Sequence, residues 1–241
     1  MLRLRTVVIA SGIASIPILY VRSRVLSLEH AYPPLPSETT TTSELRTPTA
    51  PGTRTAYTDV YGTRVPLSAL RGSSASDSKY REAPLEEVWA KAFLQSRLMK
   101  LEASIVGYGT PGDLGEQGFK PEQKLVAGMM NVLHVPTRGQ PLLIRWDVPL
   151  HVIGFFERLA GWGYPWRMME GGRHEWSVGQ VGRLPGEKED MVEVRFAAAH
   201  DYRIVEGETG EGKIIPAWVV RAHRAYARLL LDVAVKEIYA H

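Results

Sequence analysis

The sequence contains no cysteine among its 241 residues. This absence excludes disulfide bridges, metal sites built from thiolates, and enzymes that use a cysteine nucleophile. Asparagine is almost absent as well, because its single occurrence, Asn131, precedes Val-Leu and forms no N-glycosylation sequon. Both features favour a chain that faces the cytosol rather than the secretory lumen.

The chain also carries little net charge, since its formal net charge is +3. Residues 1–30 carry all of it, with four arginines against the single acid Glu29. The whole chain has 29 basic and 26 acidic side chains, so the remainder carries equal numbers of each. Nucleic-acid-binding proteins concentrate positive charge on their folded part. We therefore do not expect nucleic acid as a partner.

An uncharged run covers residues 6–21 and has arginines on both sides. Spanning a bilayer takes about 20 residues, with a lower limit near 17, so the run suffices when Leu4 or interfacial arginines extend it. A signal anchor, a cleaved secretory signal and a mitochondrial presequence are all open. We favour a single-pass anchor that contacts the membrane through residues 4–21, in the endoplasmic reticulum rather than the mitochondrion, because Arg22 and Arg24 follow directly and the cleavage site is poor.

The chain divides into three parts by composition. Residues 1–30 are interpreted as the hydrophobic anchor, and residues 31–55, rich in Pro, Ser and Thr, are predicted to be a disordered linker. Residues 56–241 are predicted to form a single α+β domain that binds a small molecule. Apolar periodicity predicts a first strand, a helix over 84–105, a hairpin within 124–149, a helix over 150–162, strands over 172–181 and 191–202, and a long terminal helix from residue 216. On the terminal helix an apolar stripe is formed by Pro216, Val219, Ala222, Tyr226, Leu229, Leu230 and Val233. The charged side chains expected to face away from this stripe are Arg221, Arg224, Arg228, Asp232 and Lys236.

Three stretches in the C-terminal part carry a resemblance to known proteins. They read GGRHEWSVG from residue 171, MVEVRF from residue 191 and IPAWVVRAHRAYARLLL from residue 215. Together with the order of elements they resemble the helix-grip fold of the START and polyketide-cyclase superfamily, and also the uncharacterised DUF1990 proteins. This resemblance implies a curved antiparallel sheet that grips the terminal helix around a cavity. The layout of anchor, linker and domain resembles small fungal proteins of natural-product pathways.

Alternation of side chains sorts three strands onto two faces of the predicted sheet. One face is charged and is expected to lie in water; it holds Arg145, Asp147, Arg173, Glu175, Glu193 and Arg195. The other face is apolar and aromatic and is expected to face the terminal helix; it holds Ile144, Trp146, Val148, His174, Trp176, Val178, Val192, Val194 and Phe196.

His174 is the one polar side chain on the apolar face. It is either a neutral core histidine or an acid, base or hydrogen-bond donor that lines a cavity. The same alternation, continued past a possible bulge, turns His200 and Tyr202 inward. We therefore predict His174, His200 and Tyr202 as catalytic candidates. Their aromatic and apolar neighbours are the substrate-binding candidates, namely Trp146, Trp166, Trp176, Phe196 and Met130.

Metal and cofactor chemistry is not indicated. The histidines lack the spacing of metal ligands, and no dinucleotide fingerprint or nucleophile elbow is present. The favoured function is a cofactor-independent cyclase or isomerase that acts on a hydrophobic, terpenoid-like or polyketide-like molecule in secondary metabolism. The alternatives are a non-catalytic, membrane-tethered protein that binds or transfers lipid or sterol, and a structural membrane protein whose aromatic face is ordinary core.

Overall fold

The computed structural model describes residues 20–48, 50–72, 83–208 and 212–240. Helix α1 comprises residues 20–31 of this part. The elements that follow along the chain are α2 (Ser37–Thr40), α3 (Ser43–Arg46), β1 (Thr53–Pro66), α4 (Leu67–Gly72), α5 (Leu85–Leu94), α6 (Arg97–Val106), β2 (Lys124–Leu125), β3 (Met130–His134), β4 (Leu142–Asp147), α7 (Leu150–Gly161), β5 (Gly171–Gly182), β6 (Met191–Arg203) and α8 (Ala217–Ala240).

The six strands form one antiparallel sheet in the order β1-β6-β5-β4-β3-β2. Strands β2 to β6 pair in the order in which they follow one another along the chain, whereas β1 lies at the edge of the sheet beside β6. Register shifts leave Ala56 of β1 and Leu133 of β3 without a partner, and they set Gly179 and Gln180 of β5 against Glu193 of β6. Such bulges bend a strand and increase its twist. The α+β class, the curved antiparallel sheet and the C-terminal helix are thereby confirmed.

The helix predicted over 84–105 is two helices, α5 and α6. Ser96 separates the two helices because its backbone is extended, and its side chain is fully buried. The first N–H group of α6, at Arg97, donates to the carboxylate of Glu237 on α8, 3.2 Å away. A tertiary contact therefore satisfies the new helix terminus, which periodicity along the sequence does not reveal.

The main core lies between the inner face of the sheet and helices α5 and α8. Trp89 of α5 is fully buried and donates from Nε1 to the backbone oxygen of Arg195, 2.8 Å away. The Phe93 ring packs between Trp176 and Phe196, with ring centroids 5.5 and 4.7 Å away. Aromatic side chains thus join α5 to the middle strands of the sheet.

Helix α1 packs against α8 and buries two charged residues that the helical pattern placed in solvent. Asp232 is 6% exposed, forms an ion pair with Arg24, and accepts a hydrogen bond from the Tyr32 hydroxyl at 3.2 Å. Arg228 is 7% exposed and donates from Nε to the Tyr32 carbonyl oxygen at 2.9 Å. The prediction that both face away from the protein is wrong because it did not include α1 as a packing partner.

The anchor predicted over residues 4–21 lies almost entirely outside the described residues. Of the helices in the described ranges, none has both the length and the apolar character required to cross a bilayer. The membrane anchor stays a prediction.

Residues 36–48 form a strap across the outer face of the sheet, and the structure here differs from the predicted disordered linker. The strap contains α2 and α3, and Leu45 at its centre is fully buried. Leu45 belongs to a second apolar cluster, separate from the main core, with Val60, Leu143, Ala197 and Ala199. A small apolar patch on the sheet therefore contributes to the order of a segment that is polar in composition.

The strap also explains why two predicted surface charges are buried. Arg173 and Glu175 lie on the expected outer face of β5, but they are 0% and 1% exposed. Glu175 Oε2 accepts hydrogen bonds from the backbone N–H and the hydroxyl of Thr42, which caps α3. Burial raises the pKa of the Glu175 carboxyl, and the hydrogen bonds from Thr42 oppose that rise. The prediction of a wholly solvated face is wrong at these positions.

Leu45→Ala is expected to lower the free energy of unfolding by about 2–5 kcal/mol, because it removes a fully buried side chain from a small cluster. Urea unfolding followed by circular dichroism measures the change. Leu184→Ala, at a position that is 53% exposed, is the matched control and should change stability by less than about 0.5 kcal/mol. Equal, small effects of both substitutions would show that the strap contributes nothing to the fold.

Candidate functional site

A partly open, mainly apolar cavity of about 70 Å³ lies between the inner face of the sheet and helices α5, α6 and α8. Four of the predicted site residues line it, namely His174, Trp176, Phe196 and Met130. Most of the other lining residues are apolar; they are Phe93, Met99, Ala198, Ala227 and Leu230. Three further lining residues are polar and come from helices; they are Glu102, His223 and Tyr226.

His174 projects from the middle of β5 into this space. Its ring centroid lies 5.2 Å from Phe196, 5.7 Å from Trp146 and 5.9 Å from Trp176. Burial lowers the pKa of His174 to about 3, and the neighbouring His223 adds to this effect. The imidazole is therefore neutral at physiological pH, with one ring nitrogen able to donate and the other able to accept.

Trp146 lies beside His174 because Gly172, near the start of β5, leaves room for its ring. A Cβ atom at Gly172 would stand 2.9 Å from Cζ2 of the Trp146 ring and 2.0 Å from the carbonyl oxygen of Ala199. A larger residue at this position would displace the indole from the histidine rings. Gly172 thus helps to position the site although it supplies no chemistry.

His200 and His223 form a hydrogen-bonded pair next to the cavity. Their Nε2 atoms are 2.8 Å apart, so one nitrogen donates and the other accepts. Burial is the main cause that lowers the pKa of each imidazole, with nearby positive charge adding to it. Tyr57 stacks on His200 with a centroid distance of 4.5 Å. Only His223 of this pair reaches the cavity wall, and His200 lies behind it.

Tyr226 and Glu102 supply the remaining polar groups. The Tyr226 hydroxyl donates to Glu102 Oε2 at 2.6 Å. Burial and the adjacent carboxylate both raise the pKa of Tyr226, so the phenol stays protonated. Trp176 adds a potential donor, since its indole Nε1 is buried and has no acceptor among the described residues.

Four predicted residues are not part of the cavity wall, namely Tyr202, Trp166, Trp146 and His200. Tyr202 is fully buried in a separate cluster with Met169 and Ile215, near the start of α8. Trp166 follows α7 along the chain and lines an open cleft near the N-terminal end of α8. Trp146 contacts the histidines but is not part of the cavity wall. The structure thus brings together His174, Trp176, Phe196 and Met130, with His200 and Trp146 immediately behind them.

Sequence reasoning missed three polar residues of the wall, namely Glu102, His223 and Tyr226. All three lie on helices, whereas the sequence pattern indicated a site on the strands. Tyr226 was part of the predicted apolar stripe of the terminal helix, and His223 precedes it by three residues, on the same side of the helix. The Tyr226 hydroxyl and the His223 imidazole, on one side of the predicted terminal helix, could have indicated a polar group in the site.

No group of three or more histidine, aspartate or glutamate side chains suited to a metal ion occurs in the described ranges. Comparisons of the chain with models of known families, with curated proteins and with solved structures found no match.

Proposed function

We propose that the chain is a cofactor-independent isomerase or cyclase that acts on a hydrophobic small molecule in the cavity beneath α8. One observation carries this proposal: His174, His223 and the Tyr226–Glu102 pair line an otherwise apolar space, together with Trp176, whose buried indole N–H has no acceptor among the described residues. Burying polar groups without partners is unfavourable, so a space that served only packing would be lined by apolar side chains. A bound carbonyl compound would supply the missing acceptor.

The donors in the cavity are suited to a developing negative charge on oxygen. The neutral imidazole of His174 and the N–H of Trp176 would both donate to the carbonyl oxygen of a substrate. Such fixed dipoles stabilise an enolate most effectively where water is excluded, as in this apolar surrounding. Because the pKa of His174 is about 3, it would act as a hydrogen-bond donor and not as a charged acid.

Glu102 is the candidate base. Its carboxylate would take a proton from the carbon next to the carbonyl and return it to a different carbon, so the bonding shifts without any net oxidation. Tyr226 would hold the carboxylate in place through its 2.6 Å hydrogen bond. The His223–His200 pair, with its single shared proton, would relay a proton at the other side of the cavity.

The size of the cavity limits the substrate in the present arrangement. An enclosed space of 150 Å³ holds benzene, so about 70 Å³ accommodates only a few heavy atoms. A terpenoid or polyketide, the substrate classes implied by the helix-grip resemblance, requires α8 or α6 to move away from the sheet. The predicted membrane anchor would place this opening near a source of apolar substrates.

The experiment uses the full chain and the smallest open-chain β,γ-unsaturated ketone, chosen because the cavity accommodates only a few heavy atoms, and its conversion to the conjugated isomer is followed by absorbance. Deuterium uptake next to the carbonyl, followed by NMR, reports proton abstraction directly. Glu102→Gln is expected to reduce both signals by about 10²–10⁴-fold, which is the usual contribution of a positioned base. His174→Phe is expected to reduce them by a comparable factor through loss of the donor, with ketone binding retained.

Two controls separate chemistry from folding. Glu206→Gln and His151→Phe change the same residue types at exposed positions outside the cavity and should leave the rates unchanged. No change in rate near pH 6.5 should arise from His174, because its imidazole is already neutral above its pKa of about 3. Ketone binding without isomerisation or deuterium uptake would favour the non-catalytic lipid or sterol carrier instead.

A further inference from the structure

A second, larger space opens at the N-terminal end of α8 and shares no lining residue with the cavity. This cleft has a volume of about 1150 Å³. An aromatic and aliphatic part of the wall is formed mainly by Tyr57, Trp166, Ile214, Ile215 and Val220. A cationic part is formed by Lys213, Arg221, Arg224 and Arg228.

Arg228 is the most unusual residue of the cleft. It is 7% exposed, and its guanidinium carbon lies 4.2 Å from the centroid of the Tyr61 ring. Its Nε donates to the Tyr32 carbonyl oxygen at 2.9 Å. Within the described ranges its two terminal amino groups meet no acceptor, and it forms no ion pair. A desolvated cation of this kind is stabilised when an anion occupies the space in front of it.

The remaining charges of the cleft leave it positive. Arg221 pairs with Glu29 at 3.1 Å and Arg224 with Asp59 at 2.9 Å. Glu208, the other carboxylate on the cleft wall, pairs with Arg167. Lys213 donates to the carbonyl oxygen of Ala160 and, in the part of the chain described, has no carboxylate within ion-pair distance.

Spacing along α8 aligns the arginines. Residues 221, 224 and 228 are three and four positions apart, so their side chains emerge from one side of the helix. Arg224 also lies over the Tyr57 ring, at 5.6 Å from its centroid. The arginine row and the aromatic part of the wall therefore meet at Tyr57.

We propose that the cleft is a binding site for an organic anion that carries an aromatic or alkyl tail. Arg228, with Arg224 beside it, would bind a carboxylate, and the tail would lie on Tyr57 and Trp166. Arginine suits this role because its planar guanidinium presents paired donors that match the geometry of a carboxylate. This proposal does not depend on the reaction proposed for the cavity, and a separate experiment tests it.

Isothermal titration calorimetry of the full chain with three probes tests the proposal. Phenylbutyrate, phenylbutanamide and phenylbutylamine share one tail and differ in the charge of the head group. The carboxylate is expected to bind at least about tenfold more tightly than the amide, since a hydrogen bond to a charged group is worth more than a neutral one. Raising the ionic strength about tenfold should weaken binding of the carboxylate only. Equal affinity for carboxylate and amide, or tighter binding of the amine, would overturn the proposal.

Variants locate the site. Arg228→Met keeps the apolar stem and should reduce the affinity for phenylbutyrate to that for the amide, while leaving the amide unaffected. Arg97→Gln removes the same charge from an exposed position outside the cleft and should have no effect. Trp166→Ala should weaken all three probes together. If Arg228→Met fails to fold, Arg221→Gln, at a side chain 61% exposed, should still weaken phenylbutyrate selectively. Unchanged carboxylate binding in a folded Arg228→Met protein would exclude the cleft as the site.

Discussion

Arg173→Met is expected to lower the free energy of unfolding by about 3–5 kcal/mol, because it leaves the carboxylate of Asp201 buried without its cation. Arg173 is fully buried beneath the strap and pairs with Asp201 through both terminal amino groups. The same guanidinium donates from Nε to the carbonyl oxygen of Leu45 at 2.7 Å and from Nη2 to the Thr55 hydroxyl at 2.8 Å. One side chain thus joins β5, β6, β1 and α3.

The double variant Arg173→Met/Asp201→Leu should be more stable than Arg173→Met alone, since replacing both members of a buried ion pair by apolar residues removes the uncompensated charge. Arg145→Met is the matched control; its pair with Asp147 is solvent-accessible and contributes at most about 1 kcal/mol. Urea unfolding of the four proteins gives these differences. Additive losses in the double variant would contradict the coupling of Arg173 and Asp201.

Trp176→Ala is expected to lower the free energy of unfolding by about 3–5 kcal/mol. Trp176 is fully buried, and its ring packs against Phe93, Phe196 and His174 with centroid distances of 5.5, 5.5 and 5.9 Å. Because these rings are held by both the sheet and α5, we expect them not to collapse into the vacated space. The substitution should therefore enlarge the cavity beside His174.

A small apolar ligand distinguishes an enlarged cavity from a collapsed one. Benzene should raise the melting temperature of Trp176→Ala and leave the unsubstituted protein nearly unchanged, since a ligand that binds only the folded state stabilises it. Trp162→Ala removes the same side chain from a position 82% exposed and should change stability by less than about 0.5 kcal/mol. A Trp176→Ala protein that loses stability but gains nothing from benzene would mean that the core closes around the substitution.

Alternation along the strands was the most reliable information in the sequence. It placed Trp176 and Phe196 inward and Arg173 and Glu175 outward, and the observed register agrees. It also separates the neighbours His200 and Asp201, which contact His223 on the inner side and Arg173 on the outer side. A strand side chain has only two directions, so a local pattern suffices to assign the face.

Exposure could not be assigned in the same way, because it depends on what covers each face. Residues 36–48 are polar in composition, and their order comes from one buried leucine, the Thr42–Glu175 contact and the hydrogen bond from Arg173. The two hydrogen-bonded contacts each join residues more than a hundred positions apart. Composition over a short window contains no information about such partners.

For the candidate site, the sequence by itself determined the strand residues that face α8 and hence His174, Trp176, Phe196 and Met130. Only the tertiary structure decided which helix residues meet them, because Glu102 and Tyr226 are 124 positions apart and join through the packing of α6 on α8. The tertiary structure also decided the size of the cavity, because its volume depends on how closely the helices approach the sheet. Periodicity along a chain assigns direction to each side chain, whereas distance between elements follows from the packing of all of them together.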